Sequence, residues 1–129
     1  MSETYAHYQD VLMALCAWRE ARGEGLEAMR GVCWVIRNRL SDPLNRWPKA
    51  SSEVVLQSLQ FSSFNKSDPN ATKFPLCSSM AWEEACQAVD NPGTDPTGGA
   101  NHYHSGTPPA WAFGKTPCVV IGRLMFYKL

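Results

Sequence analysis
Two apolar helical stripes occupy about the first forty residues, and the glycines Gly23 and Gly25 stand between them. From about residue 4 to 20, Tyr5, Tyr8, Leu12 and Leu15 recur at i, i+3 and i+7 spacing, with Val11 and Trp18 beside them. That is the period of an amphipathic helix. Beyond the glycines, Leu26, Met29, Cys33, Ile36 and Leu40 lie on one stripe of a second helix. Asp42-Pro43 ends it, because proline cannot continue the hydrogen-bond ladder and restricts the residue before it.

Downstream, "NRWPKASS" reads as a loop, and Ser52 is placed to cap a short helix over "EVVLQ". The stretch 60–77 is turn-rich, holds two prolines and is expected to be an extended surface loop. Ser78 or Ser79 then caps a helix with Trp82, Ala85, Cys86 and Val89 on its buried face, and "DNPG" stops it. Residues 93–118 are loaded with Gly, Pro, Asn and aromatics. "VVIGRLMFYKL" alternates and predicts one or two short strands turning at Gly122. The expected fold class is α+β, mainly helical, in one domain spanning 1–129. A small β-hairpin and long loops complete it, and long ordered loops in a small domain usually carry function.

Composition removes several classes. Apolar content is 44% and charged content 19%, which suits a globular chain. Twelve basic and twelve acidic residues cancel with no basic stripe, so nucleic acid is not the expected partner. No apolar run is long enough for a membrane-spanning helix. The N-terminus lacks a signal-peptide pattern, so the chain is expected to be made in the cytoplasm and to need another route out. Five cysteines with no CxxC pair argue for structural thiols, Cys77–Cys86 being the one local pairing left open.

The break between the helices is rich in charge: Glu20, Glu24 and Glu27 alternate with Arg19, Arg22 and Arg30. If the first helix ran through residue 24, Glu20 and Glu24 would share a face and repel. Apolar neighbours and a like charge both favour the neutral form of a carboxyl, the form a general acid needs. The plainer alternative pairs these glutamates with nearby arginines in water, where each pair is worth little. Composition alone favours that alternative.

Three other features bear on chemistry. His102 and His104 form an HxH that a strand would turn to one face, but two ligands do not make a zinc site, so no metal or cofactor is expected. Asn101, Tyr103 and His104 can instead line a polar cleft as donors and acceptors. In residues 59–65, Gln60, Ser62 and Asn65 interleave with Phe61 and Phe64, a mix that suits stacking on a sugar face while bonding its hydroxyls and amides. A cysteine–histidine nucleophile, Cys77 with His102 or His104, is arithmetically open, and the sequence motifs of serine hydrolases, P-loop enzymes and zinc proteases are absent.

Taken together, these segments resemble the SleB-like cell-wall hydrolases, a family of spore cortex-lytic enzymes and phage lysins. The resemblance lies in Glu20-Ala21-Arg22-Gly23-Glu24, in Asn38-Arg39 closing the second helix, in Gln60-Phe61-Ser62, in "DPTGGANHYH" and in "IGRLMFY". It covers about residues 10–127, with the motifs in the family's order. Two departures stand out: Arg19 precedes Glu20, and Leu124 stands where the family often has histidine.

The resemblance implies a lysozyme-like fold with loops lining a cleft. It also implies cleavage of peptidoglycan between N-acetylmuramic acid and N-acetylglucosamine. Glu20 corresponds to the catalytic acid. Glu24, Gln60, Phe61, Ser62, Asn101, Tyr103 and His104 are the expected substrate-binding positions. A muramidase needs two carboxylates, and the sequence nominates no clear partner for Glu20, Asp68 and Asp95 being loop candidates only. A lytic transglycosylase, which needs one, is therefore the preferred reading and a muramidase the alternative. The expected setting is a phage endolysin, monomeric, reaching the wall through a holin. An inactive peptidoglycan-binding module, or a helical interaction protein with Glu20 on an open face, are the rival classes.

Overall fold
The structure, a computed structural model, describes residues 2–57 and 60–129. It contains α1 (Glu3–Ala21), α2 (Leu26–Leu40), α3 (Ser51–Leu56) and α4 (Met80–Asp90). Three short strands follow, β1 (His102–Ser105), β2 (Val119–Ile121) and β3 (Leu124–Tyr127). Short 3-10 turns occupy Ser62–Phe64, Pro69–Thr72 and Ala110–Ala112.

The Ser2 hydroxyl caps α1 by accepting from the Tyr5 N–H. Every residue from Met13 to Arg19 is buried, because α2, α3 and α4 all pack on this half of the helix. The expected stripe is weaker at its start: Tyr8 and Val11 are exposed. In α2 the buried face is wider than one stripe, with Ala28, Val32 and Val35 joining Met29, Cys33 and Ile36 at zero exposure. Leu26 and Leu40 pack at its margins. Beyond α2, the Asp42 carboxylate accepts from the Arg46 backbone N–H at 2.9 Å and from its Nε at 3.0 Å. The hydrogen-bonded Arg46 side chain holds Asp42 down at about 2.

Ser52 does not cap α3. It lies within the helix, and its N–H and hydroxyl pair with the two ends of the Gln9 amide. Ser79 caps α4, its Oγ accepting from the Trp82 N–H. Ala85 and Ala88 are the fully covered residues of α4, with Trp82 and Val89 packed at the edge of the core. The stretch 60–77 is not simply a surface loop: Phe61 and Ser63 are buried within it. Leu59, which opens the motif read over 59–65, lies outside the described residues. Cys16 and Cys33 are buried and Cys86 is half-buried. Cys77 and Cys118 are exposed, contrary to a core role, and Cys77 and Cys86 are not bonded.

The expected hairpin is present as β2 and β3, turning at Gly122, but it belongs to a three-stranded antiparallel sheet of order β1-β3-β2. β1 pairs with β3 across some twenty intervening residues, a partnership that local alternation does not reveal. In that register Tyr103 lies opposite Phe126 and His104 opposite Met125. Alternation sends Tyr103 and Phe126 toward the helices and His102, His104 and Tyr127 toward Trp111 on the other face. Gly31 of α2 makes this docking possible: a Cβ there would lie 2.6 Å from Phe126 Cζ. Among the described residues, no helix is long and apolar enough to cross a membrane.

Candidate active site
Glu20 sits in the last turn of α1, and both of its oxygens are held. Oε1 accepts from the Tyr103 hydroxyl and Oε2 accepts from the Ser63 backbone N–H at 3.0 Å. Neither partner is a cation. The Tyr103 ring packs at a tilt against Phe61, with ring centroids 6.2 Å apart, and against Phe126 at 5.7 Å. Burial, and then the nearby Glu20 charge, push the Tyr103 phenol well above its ordinary value, so it remains a protonated donor.

Arg19 supplies the other half of this seat. Its guanidinium does not pair with Glu20. Nε donates to the Lys73 carbonyl at 3.1 Å and Nη1 to the Ser63 carbonyl at 3.4 Å, while the group lies over Phe64 and Phe74. The residue beside the acid thus anchors the 3-10 turn whose N–H meets the acid.

A second clamp works from α2. Asn38 Nδ2 donates to Asp95 at 2.9 Å and to the Ala100 carbonyl at 2.8 Å. Arg39, buried over Trp47 and Phe61, donates to the Asn101 carbonyl at 2.8 Å. Asp95 also accepts from Thr97 and Gly99, closing the glycine turn that leads into β1. Partial burial works to raise the Asp95 carboxyl, and hydrogen bonds from Asn38, Thr97 and Gly99 outweigh it, so it stays below the ordinary aspartate range. The Asn-Arg pair and the "DPTGGAN" segment are therefore two sides of one joint that sets the height of Tyr103.

Two hollows meet at Glu20. One, of about 490 Å³, runs along Arg22, Gly23, Glu24, Gly106 and Arg123. The other, of about 440 Å³, runs along Gln60, Ser62, Asn70, Tyr103, His104 and Thr107. They share Arg19, Glu20, Ser105 and Leu124, so they are two arms of one groove. Leu124, at the position where the SleB-like family often has histidine, is buried at the floor of both.

The three glutamates of the opening segment separate. α1 ends at Ala21, so Glu24 does not continue the face of Glu20. Glu24 instead bonds Arg123 Nε at 2.6 Å and the Arg123 backbone N–H at 3.2 Å. The Arg123 side-chain hydrogen bond lowers the Glu24 carboxyl from its ordinary value. Gly122 permits this approach, with φ at +59° and Glu24 Oε2 where a Cβ would stand. Glu27 pairs with Arg30 at 2.7 Å and is exposed.

Of the expected binding positions, Glu24 lines one arm and Gln60, Ser62, Tyr103 and His104 line the other. Phe61 and Asn101 are not brought to the groove: both are buried and line neither arm. Phe61 supports Tyr103, and the Asn101 amide clasps the C-terminus by exchanging hydrogen bonds with Leu129. His104 Nε2 bonds the Tyr127 hydroxyl at 2.9 Å, and Cys77 lines neither arm, so no cysteine–histidine pair forms. Asp68 caps the 3-10 turn at Pro69–Thr72 through the Asn70 N–H; neither it nor Asp95 lines the groove. Among the described residues, no cluster of three metal-ligating side chains exists. Sequence reasoning gave no site role to Ser63, Arg22 or Arg123. Ser63 adjoins a motif residue and the two arginines lie inside motifs, but a backbone donor and a cross-groove arginine have no local signature.

Residues 23–127 match the profile of the cell wall hydrolase family, and the chain belongs to that family. The match begins three positions after Glu20. Solved structures extend the likeness over α1. The crystal structure of the catalytic domain of the Bacillus cereus SleB protein is 27% identical, covering 94% of this chain and 91% of that one, with a TM-score of 0.71. The catalytic domain of the germination-specific lytic transglycosylase SleB from Bacillus anthracis is 25% identical, covering 99% and 100%, with a TM-score of 0.74. No curated protein sequence matches significantly. The mainly helical fold with a small antiparallel sheet is that of the SleB catalytic domain.

Proposed function
We propose that this chain is a lytic transglycosylase that cleaves peptidoglycan between N-acetylmuramic acid and N-acetylglucosamine, with Glu20 as its single acid and base. The observation that carries the reading is the seat of Glu20: a carboxyl at the meeting of two groove arms, held by Tyr103 and Ser63 with no cation among the described residues paired to it. Two donors leave each oxygen a free lone-pair direction, so one can carry the acidic proton.

The chemistry runs as follows. Glu20 protonates the glycosidic oxygen, the bond from that oxygen to muramic C1 breaks, and the glucosamine leaves as its 4-hydroxyl. The Glu20 carboxylate, now accepting from Tyr103 and Ser63, takes the proton of the muramic C6 hydroxyl. O6 bonds to C1, giving a 1,6-anhydro end and restoring the acid. No water is consumed. The donors bind the carboxylate most strongly when it is charged, which places their contribution in the reaction rather than in substrate binding.

A muramidase is the second reading, and Glu24 is what favours it, as the other carboxylate on the groove. A retaining glycosidase needs a nucleophile free to reach C1, whereas Glu24 is engaged twice by Arg123. Mass spectrometry of digested peptidoglycan separates the two: anhydro-muropeptides support the transglycosylase, and reducing muramic ends overturn it. The phage endolysin setting belongs to the same proposal, resting on the family's inclusion of phage lysins. Co-expression with a holin should lyse a host culture that neither gene lyses alone.

A further inference from the structure
The two arms of the groove differ in charge. Arg22 and Arg123 lie along the first, whereas among the described residues the second has no arginine, lysine or carboxylate beyond the shared Arg19 and Glu20. Within the first arm, Glu24 neutralises Arg123. Arg22 has no such counterpart. Its Nη2 donates to the Asn70 amide oxygen at 2.8 Å, its Nη1 to the carbonyls of Trp18 and Arg19, and its guanidinium lies 4.3 Å from the Trp18 ring centroid. All of these partners are uncharged, and among the described residues no carboxylate is within ion-pair distance of Arg22. A guanidinium held in place with its charge unmatched on a groove wall is an anion receptor.

The strand to be cut has a matching asymmetry. N-acetylglucosamine is neutral, whereas the muramic residue bears a lactyl branch that ends in a carboxylate or continues into a carboxylate-bearing stem peptide. If Glu20 acts on the bond between them, one sugar lies in each arm. Resting on that reading of Glu20, we infer that the first arm takes the muramic residue, with Arg22 receiving the carboxylate of its lactyl branch, and the second arm takes the glucosamine. This fixes the direction of the glycan strand across the protein and makes branch charge a determinant of specificity.

The test compares glycan strands without peptide and strands with stem peptides, each in free-acid and in amidated form. The wild-type kcat/KM ratio of acid to amide should be roughly fivefold, the upper range of a solvent-screened ion pair, and should fall toward one as salt rises. Arg22→Gln should bring the ratio to about one, while Arg22→Lys keeps most of it. A preference on peptide-free strands assigns the lactyl carboxylate; a preference only on peptide-bearing strands assigns a stem carboxylate. Equal rates on acid and amide in both series, or a ratio unmoved by Arg22→Gln, overturn the inference. Such turnover without preference leaves the Glu20 reading standing, whereas a fully active Glu20→Gln variant removes it. If Arg22→Gln does not fold, the wild-type ratio and its salt dependence decide.

Discussion

Tyr103→Phe removes one oxygen and little else. The ring still packs on Phe61 and Phe126, so the sheet keeps its place against α1 and α2. What disappears is the donor to Glu20 Oε1. A hydrogen bond to a charged group is worth about 1.5–3 kcal/mol, which as a barrier is a factor of about 10–150 in rate. In the proposed reaction the carboxylate forms as the proton passes to the glycosidic oxygen, so the loss should fall on kcat with KM changed little. Groove water can take the vacated position, which places the expected loss near the lower end, at about 10- to 30-fold. The assay is the initial rate of muropeptide release from a soluble glycan strand, run beside a thermal melt. The melting temperature should move by no more than ~4 °C. A kcat within twofold of wild type would refute the role given to the phenol, as would a loss matched by an equal loss of folded protein.

Gly31→Ala should destabilise by about 1–3 kcal/mol, because the new methyl overpacks the Phe126 ring at the α2–sheet contact; a melt no lower than wild type would mean that β3 can slide away freely. Stability should also fall with acid in two steps. His102 is held down at about 4, first by burial and then by the charges of Arg39, Arg46 and Lys115, so its contribution is complete above its ordinary 6.5 and lost as pH falls toward 4. Asp42, at about 2 through its Arg46 hydrogen bond, contributes above its ordinary 3.8 and loses that as pH falls toward 2. Urea midpoints across pH 7 to 2 check both, and His102→Gln should flatten only the first step.

The helices and their ends were legible because their signals are local: apolar period, the two glycines, Asp42-Pro43, and Ser79 ahead of α4. Ser52 carried the same kind of signal and misled, since Gln9, 43 positions away, takes its polar groups. The sheet was legible as far as the Gly122 turn and no further, because pairing of β1 with β3 is set by Phe126 docking over Gly31. At the site, Glu20 and several positions that line the groove with it, Gln60, Ser62 and Tyr103 among them, could be picked out, but the partners of their neighbours could not. Arg19 looked like a charge beside the acid and is instead spent on two backbone carbonyls. Asn101, in a cleft-like segment, is consumed by the C-terminus. Side-chain type predicts what a residue can bond; only the tertiary arrangement decides which partner it meets.

The proposed reaction runs on one carboxyl. Its most direct test is the yield of anhydro-muropeptides from purified peptidoglycan for wild type and Glu20→Gln, with both proteins shown by their melts to be folded. Glutamine can accept from the Ser63 N–H through its oxygen and donate to the Tyr103 hydroxyl oxygen through its amide nitrogen, but it has no acidic proton to exchange. Anhydro-products from wild type and none above background from Glu20→Gln are the predicted result. Comparable product from the folded variant would contradict the account.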